Sequence, residues 1–313
     1  MRKIFVTCLI AIYVSVGGVV LGEDKAKITI KTIDEEGKSV VGMPVSVTFY
    51  AGAKNKGVTD TNGLFSLEGD AESGEAWYGT RKESYYESMG GYQFSKPIDG
   101  RWQPWNPVIT SVVRRIVNPI PMYAKRVETI IPSTNQYCGF DLEIGDWIVP
   151  YGKGTTCDLN FYLARRMTSS EDYEGTLILT FTNGLEGIEE IQGAVKESAF
   201  RSPRFAPESG YQTNYVVCHG KDPKKGYYGA LVGDVKKSHF FRIRSILDER
   251  GNLKEALYGK TVGEIEIGGV AAAQVRLMFT YYLNPTPNDR NMEFDPKRNL
   301  MRNLKSTEQV NMP

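Results

Sequence analysis

The stretch Gly57-Val58-Thr59-Asp60-Thr61-Asn62-Gly63-Leu64-Phe65 decides the fold class of this 313-residue chain. Asn-Gly between two β-rich runs is a strong hairpin signal, because glycine adopts a positive φ without steric cost. We therefore predict a β-hairpin over these residues. Just before it, Val45, Val47 and Phe49 alternate with other residues at the period of a half-buried strand.

The same signals continue along the rest of the chain. Residues 158–165 alternate, 175–182 form an apolar β-rich run, and 270–283 predict a late strand. The run Glu249-Arg250-Gly251-Asn252 predicts a second hairpin between 240–247 and 253–267. A helix over 254–257 is the competing interpretation, but it is too short to stand alone. We therefore predict an all-β protein.

The first β-rich region resembles a known family. Val41-Gly42-Met43-Pro44-Val45-Ser46-Val47, followed by Thr59-Asp60-Thr61-Asn62-Gly63, is similar to the carboxypeptidase regulatory-like (transthyretin-like) β-sandwich. The resemblance implies a small Ig-like sandwich over residues 25–96. In that family the domain is a non-catalytic accessory, so the resemblance implies no catalytic residues here.

A second resemblance covers most of the chain after residue 96. Residues 100–107, 118–124, 146–154 and 256–260 resemble recurrent runs of exported bacterial proteins in which the small β domain precedes a larger one. This implies architecture and compartment only. We divide the chain into a signal peptide (1–22), the small sandwich (25–96), a Trp/Pro-rich connector (97–107), a larger jelly-roll-like β-sandwich (108–284) and a polar C-terminal tail (285–313), which we expect to be extended and partly disordered.

The N-terminus has the pattern of a secretory signal. Arg2 and Lys3 precede an apolar run over 4–21, and Gly22 lies at the predicted cleavage site. The run is also long enough for an uncleaved membrane anchor. We expect a secreted, periplasmic or cell-surface protein, in contact with a membrane only if the segment is uncleaved.

Charge and motifs exclude several function classes. Lys and Arg number 38 against 37 Asp and Glu, so the totals show no basic excess for nucleic-acid binding. The sequence lacks the signature motifs of zinc proteases, serine hydrolases, P-loop NTPases and dinucleotide-binding enzymes. We predict no cofactor.

Acidic residues offer the only candidates for catalysis. Asp141, Glu143 and Asp146 cluster around Trp147, and residues two apart on a strand share one face. Two placed carboxyl groups suffice for glycoside cleavage. The competing interpretation is a solvated strand edge.

Metal and disulfide chemistry have weaker support. The series Asp289, Asn291, Glu293 and Asp295 lacks the glycine and the distal Glu of a helix–loop–helix calcium site. Cys218 with His219 and His239 gives too few zinc ligands, so we predict no metal site. Export would permit a disulfide, and Cys138–Cys157 is the candidate by proximity, which leaves Cys218 as a buried, inert thiol.

Aromatic residues are the best indication of binding. The candidate ligand-binding rings are Trp77, Tyr78, Tyr85, Tyr86, Trp102 and Trp105. Exposed rings stack on sugars or fill partner pockets. Alternatively, these rings pack the interface between the sandwiches. We predict an exported, non-catalytic binding or structural protein whose partner is a glycan or a surface protein; the alternative is a secreted carbohydrate-active hydrolase.

Overall fold

The computed structural model describes residues 24–49, 55–229 and 237–313, so the predicted signal peptide lies outside the described residues. The protein is all-β, as predicted, with a short 3-10 helix at Pro296–Arg298. The first nine strands are β1 Lys25–Ile33, β2 Pro44–Phe49, β3 Asn55–Val58, β4 Leu64–Asp70, β5 Glu75–Thr80, β6 Ser88–Gln93, β7 Pro97–Ile98, β8 Arg101–Trp102 and β9 Val108–Val112. The remaining strands are β10 Tyr123–Ile130, β11 Tyr137–Asp141, β12 Asp146–Trp147, β13 Leu159–Ser169, β14 Asp172–Thr180, β15 Gly187–Glu190, β16 Asn214–Asp222, β17 Gly226–Gly229, β18 His239–Leu247, β19 Leu253–Thr261, β20 Glu266–Gly268 and β21 Arg276–Asn284.

The small sandwich consists of two sheets. One has the order β4-β1-β8-β7, with β9 also paired to β1, and the other has the order β3-β2-β5-β6. Alternate residues of the central strands face inward, among them Ile28, Ile30, Val45, Val47 and Phe49. Their burial supplies the main favourable term for this body.

The turn at residues 60–63 has a different role from the predicted one. Gly63 has a φ of 74° and Asp60 Oδ1 accepts hydrogen bonds from the amides of Asn62 and Leu64, so the turn itself is confirmed. However, β3 pairs with β2 and β4 pairs with β1. The hairpin prediction is therefore wrong, because the turn carries the chain from one sheet to the other.

The predicted connector belongs to the small sandwich. Arg101 pairs with Lys25, and Val108–Val112 runs parallel to residues 29–33 of β1. The indole N–H of Trp102 donates to the Ala71 carbonyl at 2.7 Å. The predicted boundary at residue 107 is wrong, because β1 has an open edge that the following chain covers, and the small sandwich ends after β9.

The larger sandwich consists of two antiparallel sheets with one core between them. Their orders are β10-β21-β19-β18-β15, with β20 paired to β21, and β12-β11-β13-β14-β16-β17. The predicted second hairpin is confirmed, since β18 pairs with β19 across a turn in which Gly251 has a φ of 80°. The competing helix over 254–257 is wrong, because β19 occupies these residues.

The C-terminal segment is packed, so the expectation of an extended, partly disordered tail is wrong. Met292 and Phe294 are fully buried, and Val310 is 8% exposed. They form a second core cluster with Tyr258 and Tyr282. A few apolar side chains in a polar segment suffice to hold it, because each buries most of its surface.

This segment also brings a buried acid between the two bodies. The Glu293 carboxylate is fully buried. It accepts hydrogen bonds from the Tyr86 hydroxyl at 2.8 Å and from the amides of Val117 and Asn118 at 2.8 and 2.9 Å. Arg204 donates to it at 2.5 Å. One side chain therefore joins the small sandwich, the chain that leaves it and the larger sandwich.

A second acid and a strand bridge complete the junction. Glu35 of the small sandwich pairs with Arg114 at 2.7 Å and with Arg204 at 2.9 Å. Residues 197–199 of the larger body extend the edge of β6, with amide–carbonyl bonds of 2.8 Å from Met89 to Glu197 and from Ala199 to Glu87. These contacts couple the two bodies at a fixed orientation.

We expect Glu293→Gln to destabilise the protein by about 3 kcal/mol at pH 7, because it removes the buried charge that pairs with Arg204, which retains Glu35, and places an NH2 donor against the backbone amides of Val117 and Asn118. Burial alone would raise the pKa of Glu293, but the amides of Asn118 and Val117, with Arg204 and Tyr86, outweigh burial and hold it below its usual value. The stabilisation is therefore present above the ordinary carboxyl pKa and is lost as the pH falls through the lowered one.

Urea unfolding across the acid range measures this effect. The difference between wild type and Glu293→Gln should shrink as the pH falls, whereas Glu68→Gln, at an exposed pair with Lys27, should cost little at any pH. A difference that is independent of pH would contradict the assignment.

Candidate functional site

An open hollow of the small sandwich lies on the outer face of its β3-β2-β5-β6 sheet. Its volume is about 680 Å³. Trp77 on β5 borders it and is 58% exposed, while its strand neighbours Ala76 and Tyr78 are buried. Strand alternation explains this placement, because residues 76 and 78 face the core and residue 77 must face solvent.

Glycines beside Trp77 leave part of the sheet surface under the hollow without side chains. Gly91 on β6 lies directly opposite Trp77, and Gly79 lies opposite Met89. A Cβ on Gly91 would lie 3.1 Å from the Trp77 ring, which would push the ring away from the sheet. The indole therefore lies close over backbone and presents its outer side to solvent.

Polar groups surround the ring. Ser46 and Thr48 lie on β2, and Lys56 lies on β3. Arg81 directly follows β5, and Glu87 directly precedes β6. An apolar platform with hydrogen-bonding groups at its edge suits a flat ligand that carries hydroxyl groups. The hollow can therefore bind a ring by stacking and orient it by hydrogen bonds.

The six predicted ligand-binding rings do not converge. Trp77 and Tyr78 border the hollow, but Tyr78 is 6% exposed and belongs to the core. Tyr85 lies beneath the cations of Lys82 and Arg115, at 5.9 and 5.2 Å from its centroid. Of these six rings, Trp77 is therefore the one that is largely exposed and also borders the hollow.

The other three rings have structural contacts. Tyr86 packs on Phe200 at 5.2 Å and donates to Glu293. Trp102 belongs to the small core and Trp105 lies 5.0 Å from the Arg101 guanidinium. Among these three rings, Tyr86 therefore packs between the two sandwiches, as the alternative interpretation of the sequence predicts.

Asp141 is a structural acid. It is 2% exposed, and its oxygens accept from the amides of Glu143, Ile144, Thr155 and Thr156 at 3.0 to 3.1 Å. Burial alone would raise the pKa of Asp141, but these four amides outweigh burial and lower it. A carboxylate fixed in this way stays ionised and organises the turn that follows β11.

The other two candidate acids are also engaged. Glu143 pairs with Arg244 at 2.9 Å, and it lies in the turn after β11, so the predicted shared strand face with Asp141 is wrong. Asp146 accepts from the amides of Trp147 and Lys153 at 2.9 and 3.0 Å. The three acids do not provide the pair of available carboxyl groups that the hydrolase interpretation requires.

Asp158 was not singled out from the sequence. Its buried side chain accepts from Arg244 at 2.7 and 2.9 Å and from the Leu142 amide at 2.8 Å. Burial raises the pKa of Asp158, against the effect of Arg244. Arg244 therefore ties β18 to Glu143 in the turn after β11 and to Asp158 just before β13.

The predicted disulfide is wrong, since Cys138 and Cys157 are both free. Cys138 pairs with Phe161 and faces the core, whereas a Cβ on the next residue, Gly139, would lie 2.8 Å from the Cys157 sulfur. The two thiols therefore lie on opposite faces of β11. Cys218 is exposed, contrary to the expectation of a buried thiol.

Among the described residues, no group of three or more His, Cys, Asp and Glu side chains is arranged to hold a metal ion. Glu293 uses its oxygens at the junction between the bodies, and Asn291 binds the Asn118 carbonyl. Burial, with Lys237, lowers the pKa of His239 to about 4. Its ring packs against Tyr215 at 4.7 Å.

Sequence reasoning also missed a buried amine. Lys260 is 1% exposed and donates to Ser202 Oγ at 3.1 Å. Its ammonium lies 4.7 Å from the Phe200 ring centroid and 4.8 Å from that of Tyr282. Burial lowers the pKa of Lys260 to about 7. An alternating strand pattern assigns position 260 to the core face, but no local signal shows that a lysine can occupy it.

No protein-family model and no curated protein matches the chain. Among solved structures, the major pilin subunit BcpA of Bacillus cereus is 11% identical, with a TM-score of 0.21 over 83% of this chain and 85% of that chain. The shaft pilin spaA of Lactobacillus rhamnosus GG is 8% identical, with a TM-score of 0.23 over 81% and 93%. A DUF3823 family protein from Parabacteroides merdae is 7% identical, with a TM-score of 0.21 over 84% and 100%. Similarities this low assign no function to this chain.

In the ranges that the structure describes, no helix is both long and apolar enough to cross a membrane.

Arg244→Gln should destabilise the protein by about 3 kcal/mol, because it leaves the buried Asp158 carboxylate without its cation. The matched control is Arg276→Gln, which breaks an exposed pair with Glu128 and should cost less than about 1 kcal/mol. Denaturant unfolding at neutral pH measures both values. Equal costs for the two variants would show that the Asp158 pair is not the structural element described here.

The three described cysteines should react with iodoacetamide in the order of their exposure. Cys218 should be modified in the native protein, Cys157 more slowly, and Cys138 only on unfolding. Mass spectrometry of peptides before and after reduction tests this order. A Cys138–Cys157 peptide pair that separates only on reduction would restore the disulfide.

Proposed function

We propose that the protein is an exported, non-catalytic binding protein whose Trp77 hollow binds a saccharide ring. The observation that carries this proposal is the exposed Trp77 indole, held over Gly91 in an open hollow of about 680 Å³. An exposed Trp77 ring lacks the favourable free energy that burial of its apolar surface in the core would provide. A ligand that covers the ring would bury that surface.

The surroundings of Trp77 support a saccharide as the ligand. Sugar rings present C–H groups to an aromatic face and hydroxyl groups at their edges. The hollow offers matching groups, with Thr48 opposite Trp77 on β2, Lys56 opposite Ser46 on β3, and Arg81 directly after β5. A purely apolar partner would take the charged ends of Lys56 and Arg81 out of water without supplying hydrogen bonds in return.

The larger sandwich supports binding without catalysis. Its candidate acids are held by amides and by Arg244, so they are engaged in structure. Its junction with the small sandwich fixes the direction in which the Trp77 face points. Export is supported by the sequence pattern of residues 1–22, which lie outside the described residues.

A glycan-array screen with purified protein, followed by titration calorimetry of the best ligand, tests the proposal. Trp77→Ala should weaken binding by at least about tenfold, since aromatic anchors dominate such contacts. Tyr227→Ala is the control, because Tyr227 is a similarly exposed ring on the larger sandwich. Circular dichroism confirms that both variants fold.

Two results would contradict the proposal. One is a protein that binds no glycan on the array. The other is a Trp77→Ala variant that binds as tightly as the wild type.

A further inference from the structure

A second cavity lies in the larger sandwich, away from Trp77. Its volume is about 470 Å³, and it lies between β10, the turn that joins β11 to β12, and the C-terminal segment. Three lysines line it, Lys125, Lys153 and Lys305, and so do three acids, Glu128, Asp146 and Glu308. The chemistry of the cavity depends on which of these charges are already paired.

All three acids are paired. Glu128 binds Arg276 at 3.0 Å, and the two oxygens of Asp146 accept from backbone amides. Glu308 accepts from the Lys305 amide at 2.9 Å and pairs with Lys125 at 3.2 Å. Each carboxylate in the cavity therefore already has at least one hydrogen-bond or ion-pair partner.

Two of the three lysines differ from the acids in this respect. Lys125 donates to the Gly145 carbonyl at 2.9 Å in addition to its pair with Glu308. Within residues 24–49, 55–229 and 237–313, the side-chain ammonium groups of Lys153 and Lys305 make no ion pair or side-chain hydrogen bond. With Arg276 included, cations outnumber carboxylates at the cavity.

We propose that this cavity binds a small oxyanion, such as the carboxylate, sulfate or phosphate group of an acidic saccharide or of a free metabolite. Lys153 and Lys305 would donate charge-assisted hydrogen bonds to its oxygens, which are stronger than bonds between neutral groups. Both lysine side chains are exposed at the rim of the cavity, so their charges are screened by water and salt, and binding should weaken as ionic strength rises. This site is separate from the Trp77 hollow and does not depend on it.

The structure supplies a reporter for each site. The Trp147 indole N–H donates to Thr129 Oγ1 at 3.2 Å, and Thr129 lines the anion cavity. Trp77 borders the other hollow. The chain has four tryptophans, so a ¹⁵N–¹H spectrum of the indole groups separates the two events.

The experiment titrates labelled protein with glucuronate, glucose, inorganic phosphate and inorganic sulfate at constant ionic strength set with chloride. Glucuronate and glucose differ in one carboxylate, and phosphate and sulfate test the free anion. We expect a saturable shift of Trp147 with the anions, none with glucose, and no shift of Trp77 with phosphate or sulfate.

Variants test the assignment to the two lysines. Lys153→Gln and Lys305→Gln should each weaken anion binding by about two- to fivefold, because both lysines are exposed and an exposed charge pair contributes little. Lys96→Gln, at an exposed position of the small sandwich, should leave it unchanged. The proposal is overturned if phosphate, sulfate and glucuronate all leave Trp147 unmoved, or if the Lys153→Gln/Lys305→Gln double variant binds as the wild type does. Loss of glycan binding at Trp77 would affect only the earlier proposal.

Discussion

The buried carboxylate of Glu293 is the contact on which the rest of the structure depends. It neutralises Arg204 and fixes the chain at Val117 and Asn118, and the hydroxyl of Tyr86 donates to it from the small sandwich. A buried acid is tolerated only when every oxygen has partners, and here the partners come from three different parts of the chain. The position of the Trp77 face relative to the larger sandwich follows from this arrangement.

Much of the fold could be predicted from local signals, and the errors have a common physical cause. Alternation predicted the strands around Val45 and Phe161, and the turn residues at Asp60 and Gly251 are where they were expected. Local patterns do not specify which strands pair, so the residues around Asp60 predict a hairpin where the chain crosses from one sheet to the other. They also do not show that the edge of β1 is open, so they place Val108–Val112 in the larger domain although β9 pairs with β1.

The candidate sites were less predictable, because a residue type does not reveal its partners. Asp141 is one of three acids that cluster in the sequence, yet four amides fix it at the start of a turn. Trp77 was one of six candidate rings, and only the strand register separates it from Tyr78. Lys153 and Lys305 lie far apart in sequence and line one cavity because the C-terminal segment packs beside the turn after β11. The proposed binding groups are therefore an exposed ring, Trp77, and two cations, Lys153 and Lys305, whereas Asp141, Asp158 and Glu293 stabilise the fold.

Buried ion pairs at the junction couple the two sandwiches into one cooperative unit. Differential scanning calorimetry of the intact protein at neutral pH tests it most directly, because coupled bodies unfold together and independent ones do not. We predict a single transition in which the calorimetric and van't Hoff enthalpies agree. Two separate transitions, with the small sandwich melting on its own, would contradict the claim.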